Sequence, residues 1–260
     1  MRSILVIAQR ELKSYFSSPI AYVVLTIFIF LSGFVFNFFL SAMVQNASMR
    51  AMQSAQTGQL PDPIDMPGQV MQGFFQWTSF LMLFTLPVIT MALFSEEKKR
   101  GTIELLLTAP VTDGQIVLGK FLAASAFYAI LLLTTLIDVA VLFFYSDPAY
   151  GPILTTYLGM LLYGMAVLAL GMFISSLTEN QIIAVILTFG LIILLWIIDA
   201  ASRSADAGLK AVLTYLSILE HLNDFLVGVI STSHIIFYLS LMLVGLFLTY
   251  RSIDSLRWRA

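Results

Sequence analysis

Six long apolar stretches, separated by short polar segments, dominate the pattern of this 260-residue chain. Each stretch is long enough to cross a hydrocarbon core of roughly 30 Å as a helix, which takes about 20 residues. The stretches lack the two-residue alternation of a barrel strand, and a helix satisfies its own backbone hydrogen bonds in lipid. The pattern predicts membrane-spanning helices at about 20–44, 74–95, 121–145, 153–176, 181–199 and 233–250.

The first 18 residues separate apolar from polar side chains around a predicted helix. The apolar face comprises Ile4, Leu5, Ala8, Leu12, Tyr15 and Phe16. Arg10, Lys13, Ser14 and Ser17 lie largely on another face. We therefore expect residues 1–18 to form an amphipathic helix along the membrane surface that ends before Pro19, with an irregular tail as the alternative.

Two polar segments connect spans on the side opposite this helix. The segment at about 45–73 contains Pro61, Pro63 and Pro67, which predicts an irregular loop apart from a short helical group near 46–56. The segment at 200–232 mixes leucines with charged residues. We expect short amphipathic or re-entrant helices there, with a shallow loop as the alternative. The whole of 1–260 is predicted to be a single transmembrane domain.

Composition and charge support a polytopic membrane protein. The chain is 59% hydrophobic, its mean hydropathy is +0.93, and it has no cysteine for a disulfide or a thiolate metal site. With six spans, Arg50, Arg203 and Lys210 lie on one side and the other ten of the 13 Lys and Arg residues lie on the side of the N-terminus. Because cytoplasmic loops are enriched in Lys and Arg, both termini are expected in the cytoplasm.

A charged segment at 95–120 interrupts the apolar pattern. Glu96–Arg100 are five consecutive charged residues in a chain that is 11% charged. The segment cannot lie in hydrocarbon, because buried unpaired charges are very costly there. We expect an aqueous loop between the second and third spans, at which the protein meets a soluble partner. A basic loop that only anchors topology is the alternative.

Within this loop the residue types predict a short second helix. Gly101 is expected to end the preceding helix and Thr102 to cap the next one. Leu105 and Leu106 would anchor it against the spans, with Glu104 facing water. Pro110 is expected to stop it. A short helix held at the membrane surface can transmit force from a soluble partner into the spans.

The chain offers little sign of catalytic or nucleotide chemistry of its own. Residues 114–120 match most of a phosphate-binding loop, but Phe121 stands where Ser or Thr would ligate magnesium, and no buried strand precedes them. Asp138 lies within the third span, and an intramembrane carboxylate is a candidate substrate or proton site. A hydrogen-bonded or protonated acid that faces the helix bundle is the alternative for Asp138.

The charged loop and three further motifs resemble ABC-2 type transporter permeases, and the resemblance extends over the whole chain. The motifs are Glu97-x-x-x-Gly101-Thr102-x-Glu104-x-Leu106-x-x-x-Pro110-Val111, Gly119-Lys120, Gln9-Arg10-Glu11-Leu12 and Gly171-x-x-x-Ser175-Ser176-Leu177-Thr178. In detail the loop is similar to the gliding-motility permeases, to which the copper-enzyme maturation permeases are related.

This resemblance implies an exporter subunit of the bacterial inner membrane that dimerises and rests on two cytoplasmic ATPase subunits. A coupling helix near 101–109, within a coupling loop at 96–120, would sit in a cleft of the ATPase, with Glu96 and Glu97 at the gate or contact surface. ATP and magnesium would bind to the ATPase, so this chain would hold no cofactor. A membrane-anchored accessory protein is a further expected partner, and nucleic acid is not.

Three other functions remain as alternatives. An ion-coupled secondary transporter would need several paired charges within the spans, and Asp138 is the one candidate that the sequence offers. An integral-membrane enzyme would need a group of catalytic residues on one side, which the sequence does not show. An ATP-driven assembly or signalling subunit would use the same coupling loop without classical transport.

Overall fold

The computed structural model describes residues 2–58, 65–104, 111–204 and 206–257. The regular secondary structure within these ranges is helical, which confirms the predicted all-helical membrane fold. The helices are α1 (Arg2–Ser17), α2 (Pro19–Thr57), α3 (Met66–Thr90), α4 (Ser95–Lys99), α5 (Asp113–Thr134), α6 (Leu136–Tyr145), α7 (Tyr150–Leu177), α8 (Gln181–Ser204), α9 (Ala207–Leu216), α10 (Glu220–Leu226) and α11 (Thr232–Arg257).

Six helical stretches in the described part of the chain are long and apolar enough to cross a membrane, as predicted. They are Pro19–Thr57, Pro67–Lys99, Asp113–Tyr145, Tyr150–Leu177, Gln181–Arg203 and Thr232–Ser255. The third stretch joins α5 and α6 through Thr135, whose backbone stays close to helical. The amphipathic helix at the start is confirmed as α1, although Leu5 is exposed and Ile7 packs against the core instead.

The helical group predicted near 46–56 is present as a continuation of α2, whereas the prediction of an irregular loop is wrong for residues 66–73, which are helical. Helix α2 continues to Thr57, and α3 begins at Met66 with Pro67 in its first turn. A helix of 39 residues is about 58 Å long, roughly twice the hydrocarbon thickness. Residues 45–57 contain no Pro or Gly, so nothing breaks the helix before Gly58 takes up a left-handed conformation with φ of 67°.

Helix α7 is central to the packing because its small residues admit neighbouring helices. A Cβ atom at Gly159, Gly164 or Gly171 would lie 2.1–2.5 Å from Phe225, Tyr128 or Thr90. Those side chains belong to α10, α5 and α3. Small residues commonly let membrane helices approach each other in this way.

Short helices cover the end of the spans at residues 200–232, as predicted. The buried Asp199 at the end of α8 accepts hydrogen bonds from Ser217 (2.8 Å) and Arg203 (2.9 Å). It therefore holds the α9–α10 connection against α8, and it is more than the helix-end residue that its position in the sequence suggests. Helix α10 in turn packs on α7, since the Phe225 carbonyl accepts from Thr155 (3.0 Å).

Candidate functional site

The connection between α3 and α4 is an elbow that α7 holds in place. Residues 91–94 form a turn between the two helices. The Ser175 hydroxyl on α7 accepts hydrogen bonds from the backbone N–H groups of Phe94 (3.1 Å) and Ser95 (3.2 Å), and it donates to the Met91 carbonyl (3.0 Å). One buried side chain thus satisfies backbone groups of the elbow that a continuous helix would have paired.

Ser176, the next residue of α7, connects two further elements at this point. Its carbonyl accepts a hydrogen bond from the Lys98 ammonium of α4 and another from the Ser252 hydroxyl of α11 (3.2 Å). The serine pair of the predicted permease motif is therefore the position where α3, α4, α7 and α11 meet.

A cluster of four charged side chains lies beside the elbow, which we call the charge cluster: Arg10, Glu11, Glu97 and Lys120. The Lys120 Nζ lies 2.9 Å from Glu97 and 3.3 Å from Glu11, and Lys120 is 1% exposed. Arg10 lies 3.0 Å from Glu11 and 3.9 Å from Glu97. Two cations and two anions from α1, α4 and α5 thus compensate one another, which a buried ammonium requires.

Helix α1 fits closely against α5 next to this cluster. A Cβ atom at Gly119 would lie 2.7 Å from the Ile7 side chain and 3.2 Å from the Ile4 carbonyl, so a larger residue would separate the helices. Farther along α1, the Tyr15 hydroxyl donates to the Ile89 carbonyl of α3 (2.9 Å), and its ring stacks on Phe127. Burial, together with the Glu11 carboxylate, raises the pKa of the Tyr15 phenol, so it remains a neutral donor.

Gly101 ends α4, as the sequence predicts. Its φ is +69°, the left-handed region that glycine adopts without steric cost. The Gly101 N–H donates to the Lys98 carbonyl (3.1 Å) and the Thr102 N–H donates to the Glu97 carbonyl (3.0 Å), which together form a Schellman motif. The Thr102 hydroxyl also donates to the Glu97 carbonyl (3.3 Å), so in this structure it closes α4.

The remaining coupling-loop residues are only partly described. Glu104 is exposed and helical, as expected for a water-facing residue. Leu105, Leu106 and Pro110 lie outside the described residues, so the anchoring and stop signals assigned to them stay predictions. The chain is described again from Val111, and Thr112 and Gln115 form a capping box that starts α5.

The structure gives different surroundings to the two acidic residues that were expected together at a gate or contact surface, and that role stays a prediction for both. Glu97 is not on an exposed surface, because its side chain is 19% exposed and pairs with Lys120. Glu96 is half-exposed and pairs with Arg100 one turn later (2.5 Å). The partners of Glu97 were not predicted from the sequence. Two features of the sequence could have indicated the charge cluster. Lys120 lies at the end of the polar loop, and Glu11 lies in the amphipathic helix.

Residues 114–120 adopt no phosphate-binding loop, because they form the first two turns of α5. Their backbone N–H groups do not converge on a loop centre, and the Lys120 ammonium is engaged by two carboxylates. We call the arrangement of contacts at this end of the spans the joint. It connects a surface helix, an elbow and three spans through buried ionic and hydrogen-bonded contacts.

Asp138 lies in the first turn of α6, far along the chain from this joint. Its carboxylate is within hydrogen-bonding reach of Ser32 and lies 3.8 Å from the Cβ position of Gly33, both on α2. Nearby, the Thr135 and Tyr157 hydroxyls are 2.9 Å apart. Within the described ranges, no ion pair involves Asp138. The geometry places this acid between α6 and α2, and both a transport role and a purely structural role for it stay predictions.

A cavity of about 530 Å³ opens beside the charge cluster. Glu11 of α1, Glu96 of α4 and Arg100, which follows α4, are among the polar side chains that line one part of it. Apolar residues of α2, α3 and α5, including Val24, Ile89 and Phe127, line another. The cavity is therefore amphipathic, and motion of α1 relative to α3 would change its width.

Comparisons with known proteins agree with this architecture. The family model described as "ABC-2 family transporter protein" matches residues 5–252. Two curated relatives, each named "Probable multidrug ABC transporter permease YbhR", come from Escherichia coli K12 and Escherichia coli O157:H7. Each is 30% identical to this chain over 94 residues, which is 36% of this chain and 25% of the relative. Because the family model covers nearly the whole chain, this multi-pass membrane protein belongs to the ABC-2 family of transporter proteins.

Proposed function

We propose that this chain is the membrane-spanning permease subunit of an ATP-driven ABC-2 exporter, coupled to separate ATPase subunits through residues 96–110. The observation that carries the proposal is the charge cluster, which connects α1, α4 and α5 at the base of the spans. Family membership supports the same conclusion. ATP and magnesium would be bound by the ATPase, and this chain would provide the moving membrane path.

The contacts suggest how a push on the coupling loop would reach the spans. Glu104 and α4 would move when the ATPases close around ATP. The Glu97–Lys120 pair would transfer that displacement to α5, and Glu11 would carry α1 along. The Lys98 contact with the Ser176 carbonyl would transfer it to α7. Since helices are stiff and each contact is buried or half-buried, little of the motion would be lost in side-chain rearrangement.

The second half of the transport path would come from another copy of the chain. Only 17% of the apolar window is buried in each of α2 and α8, against 61% for the α3–α4 span and 67% for α7. These exposed spans flank α3 and offer an apolar surface for a homodimer. An accessory membrane protein would assemble with this dimer in the bacterial inner membrane, as the resemblance of the charged loop to the gliding-motility permeases implies.

The amphipathic cavity favours an amphipathic substrate. Its charged rim and apolar wall would accommodate a molecule with a polar head and an apolar body. The relatives' name, probable multidrug ABC transporter permease, is consistent with cargo of that kind. Motion of α1 would then open or close the cavity as the ATPases cycle.

The experiment that tests the proposal is purification of the tagged protein in mild detergent, with identification of co-purified chains and an ATPase assay. We expect a stoichiometric ATPase that is lost or uncoupled in Glu104→Lys. Lys210→Glu is the matched control, because it is an equally exposed charge reversal at the other end of the spans. A preparation without ATPase, or equal activity in wild type and Glu104→Lys, would overturn the coupling assignment.

A further inference from the structure

Three side chains form a hydrogen-bonded chain at the end of the spans opposite the charge cluster. His221 of α10 and His234 of α11 face each other with their Nδ1 atoms 2.6 Å apart. The Nε2 of His221 lies 3.0 Å from the Tyr215 carbonyl of α9, and the Nε2 of His234 lies 2.7 Å from Asp224. His221 is buried, and its ring stacks on Phe237 with centroids 3.9 Å apart.

The chemistry of the partners determines where the protons lie. The Tyr215 carbonyl can only accept, so His221 carries a proton on Nε2. Its Nδ1 is then bare in the neutral ring and accepts from the Nδ1–H of His234. The Nε2 of His234 faces a carboxylate and shares one more proton with it. The two imidazole rings and the Asp224 carboxylate therefore hold a defined number of protons between them.

From this arrangement, we infer that His221, His234 and Asp224 form a proton-operated latch that fixes α9 and α10 to α11. One further proton would place hydrogens on both Nδ1 atoms, which cannot remain 2.6 Å apart. The Asp224 side chain is 49% exposed and gives protons a route from water to the half-buried His234 and the buried His221. Acid on that side would therefore open the latch. This role does not depend on the proposed exporter function.

The groups around His221 favour its neutral form in the closed latch. Burial lowers the pKa of the His221 imidazole below its ordinary value of 6.5, and His234 lowers it further, while the Tyr215 carbonyl, Glu220 and Asp224 oppose this. Among the neighbouring helices, α8 carries the charged residues Asp199 and Arg203, which form an ion pair with each other. Helix α7 carries no charged residue, and the next charge on α11 is Arg251.

The sign of the pH dependence follows from these contacts. Because the pKa of His221 is lower in the closed state than in the open state, the closed state binds fewer protons. Closure is therefore fully stabilised above pH 6.5. It weakens as the pH falls from that value toward the lowered pKa. For a single proton, the ratio of open to closed forms changes by at most about tenfold per pH unit.

A direct test uses the fact that the chain has only two histidines. Nitrogen-15 labelling of histidine in the full-length protein reports the tautomer of each ring by nuclear magnetic resonance. At pH 7.5 we expect a neutral ring protonated on Nε2 for His221 and a different, hydrogen-bonded environment for His234. A His221 ring that is charged at this pH, or that titrates at or above 6.5, would overturn the latch.

A second test measures opening in the membrane. The chain lacks cysteine, so Leu222→Cys places a single buried reporter on α10 for a water-soluble thiol reagent. Relative to a matched variant that also carries His221→Asn, its reactivity should rise several-fold between pH 7 and pH 5, because the thiolate fraction falls equally in both variants. The matched control combines Leu222→Cys with His221→Asn. The asparagine keeps an acceptor near the Nδ1 position but cannot titrate. Dividing the rate of the single variant by that of the double variant therefore removes the pH dependence of the thiol itself. A ratio that stays constant with pH would contradict the inference.

Discussion

Lys120 is charged and 1% exposed, and its two carboxylate partners come from helices that are distant in sequence. A buried ammonium without partners would lose its hydration without replacement, at a cost of several kcal/mol. The Lys120 ammonium therefore requires Glu97 and Glu11 at their present positions, because both carboxylates must reach its Nζ atom. At the residue scale, this mutual dependence fixes the position of α1 relative to α4 and α5.

We expect Lys120→Met to lower the free energy of unfolding by about 3–5 kcal/mol, because it leaves two carboxylates without their buried partner. Arg10→Gln is the matched control. The Arg10 side chain is 63% exposed, so its loss should cost less than about 1 kcal/mol. Thermal unfolding in detergent measures both. Equal effects of the two substitutions would show that the cluster is not a coupled unit.

Gly101 offers a second prediction at the residue scale. Gly101→Ala forces an alanine into the left-handed region and should cost about 1–2 kcal/mol. Gly58→Ala should cost about the same, because both glycines have φ near +68° and open space around the Cβ position. Only Gly101→Ala should also weaken ATPase coupling. Reduced coupling in both variants, measured as ATPase activity per co-purified complex, would show a general effect of instability.

At the scale of elements, the elbow between α3 and α4 determines where the coupling loop lies. Pro87 precedes the break and the turn at 91–94 leaves backbone N–H groups without intrahelical partners. Ser175 satisfies two of them from α7, and Gly101 ends the short helix after five residues. The direction of the chain at the membrane surface is thus set by one hydroxyl and one glycine.

We expect Ser175→Ala to cost about 1–3 kcal/mol, because it leaves two buried N–H groups of the elbow unpaired. Ser125→Ala on α5 is the control. Its hydroxyl is also buried and has no hydrogen-bond partner among the described residues, so removing it should change stability little. A thermal shift assay compares them. If the two variants melt at the same temperature, the elbow does not depend on Ser175.

At the scale of the whole molecule, the two ends of the helix bundle differ in chemistry. The charge cluster, the elbow and the Ser252 contact of α11 lie at one end. The latch and the short helices α9 and α10 lie at the other. Helix α1 and the last turns of α11 are thus at the same end, which is the arrangement that an even number of spans produces. From the distribution of Lys and Arg, we propose that this end faces the cytoplasm.

This orientation can be tested with single cysteines in intact cells. We expect Arg50→Cys to react with a membrane-impermeant maleimide and Lys99→Cys to react only after the cells are opened, because the two exposed positions lie on opposite sides. The cysteine-free wild type is the background control. Labelling of Lys99→Cys from outside, with Arg50→Cys protected, would reverse the proposed topology.

Much of the fold follows from local rules that a single sequence displays. The spans follow from the length of apolar runs, the end of α4 from Gly101, and the short helices at 200–232 from mixed polarity. A helical group near 46–56 was predicted, but its continuity with α2 was missed because hydropathy marks only the apolar part of a helix. Helix-forming residues without Gly or Pro up to Thr57 were the signal.

Local patterns along the chain are sufficient to specify an all-helical membrane protein with a charged loop between its second and third spans, because hydrophobicity and helix-ending signals act over a few residues. The packing of the helices is what brings Glu97 to Lys120 and Glu11, Ser175 to the elbow, and His221 to His234. These contacts join residues distant along the chain. Their partners are selected by how the helices pack, which no local pattern specifies.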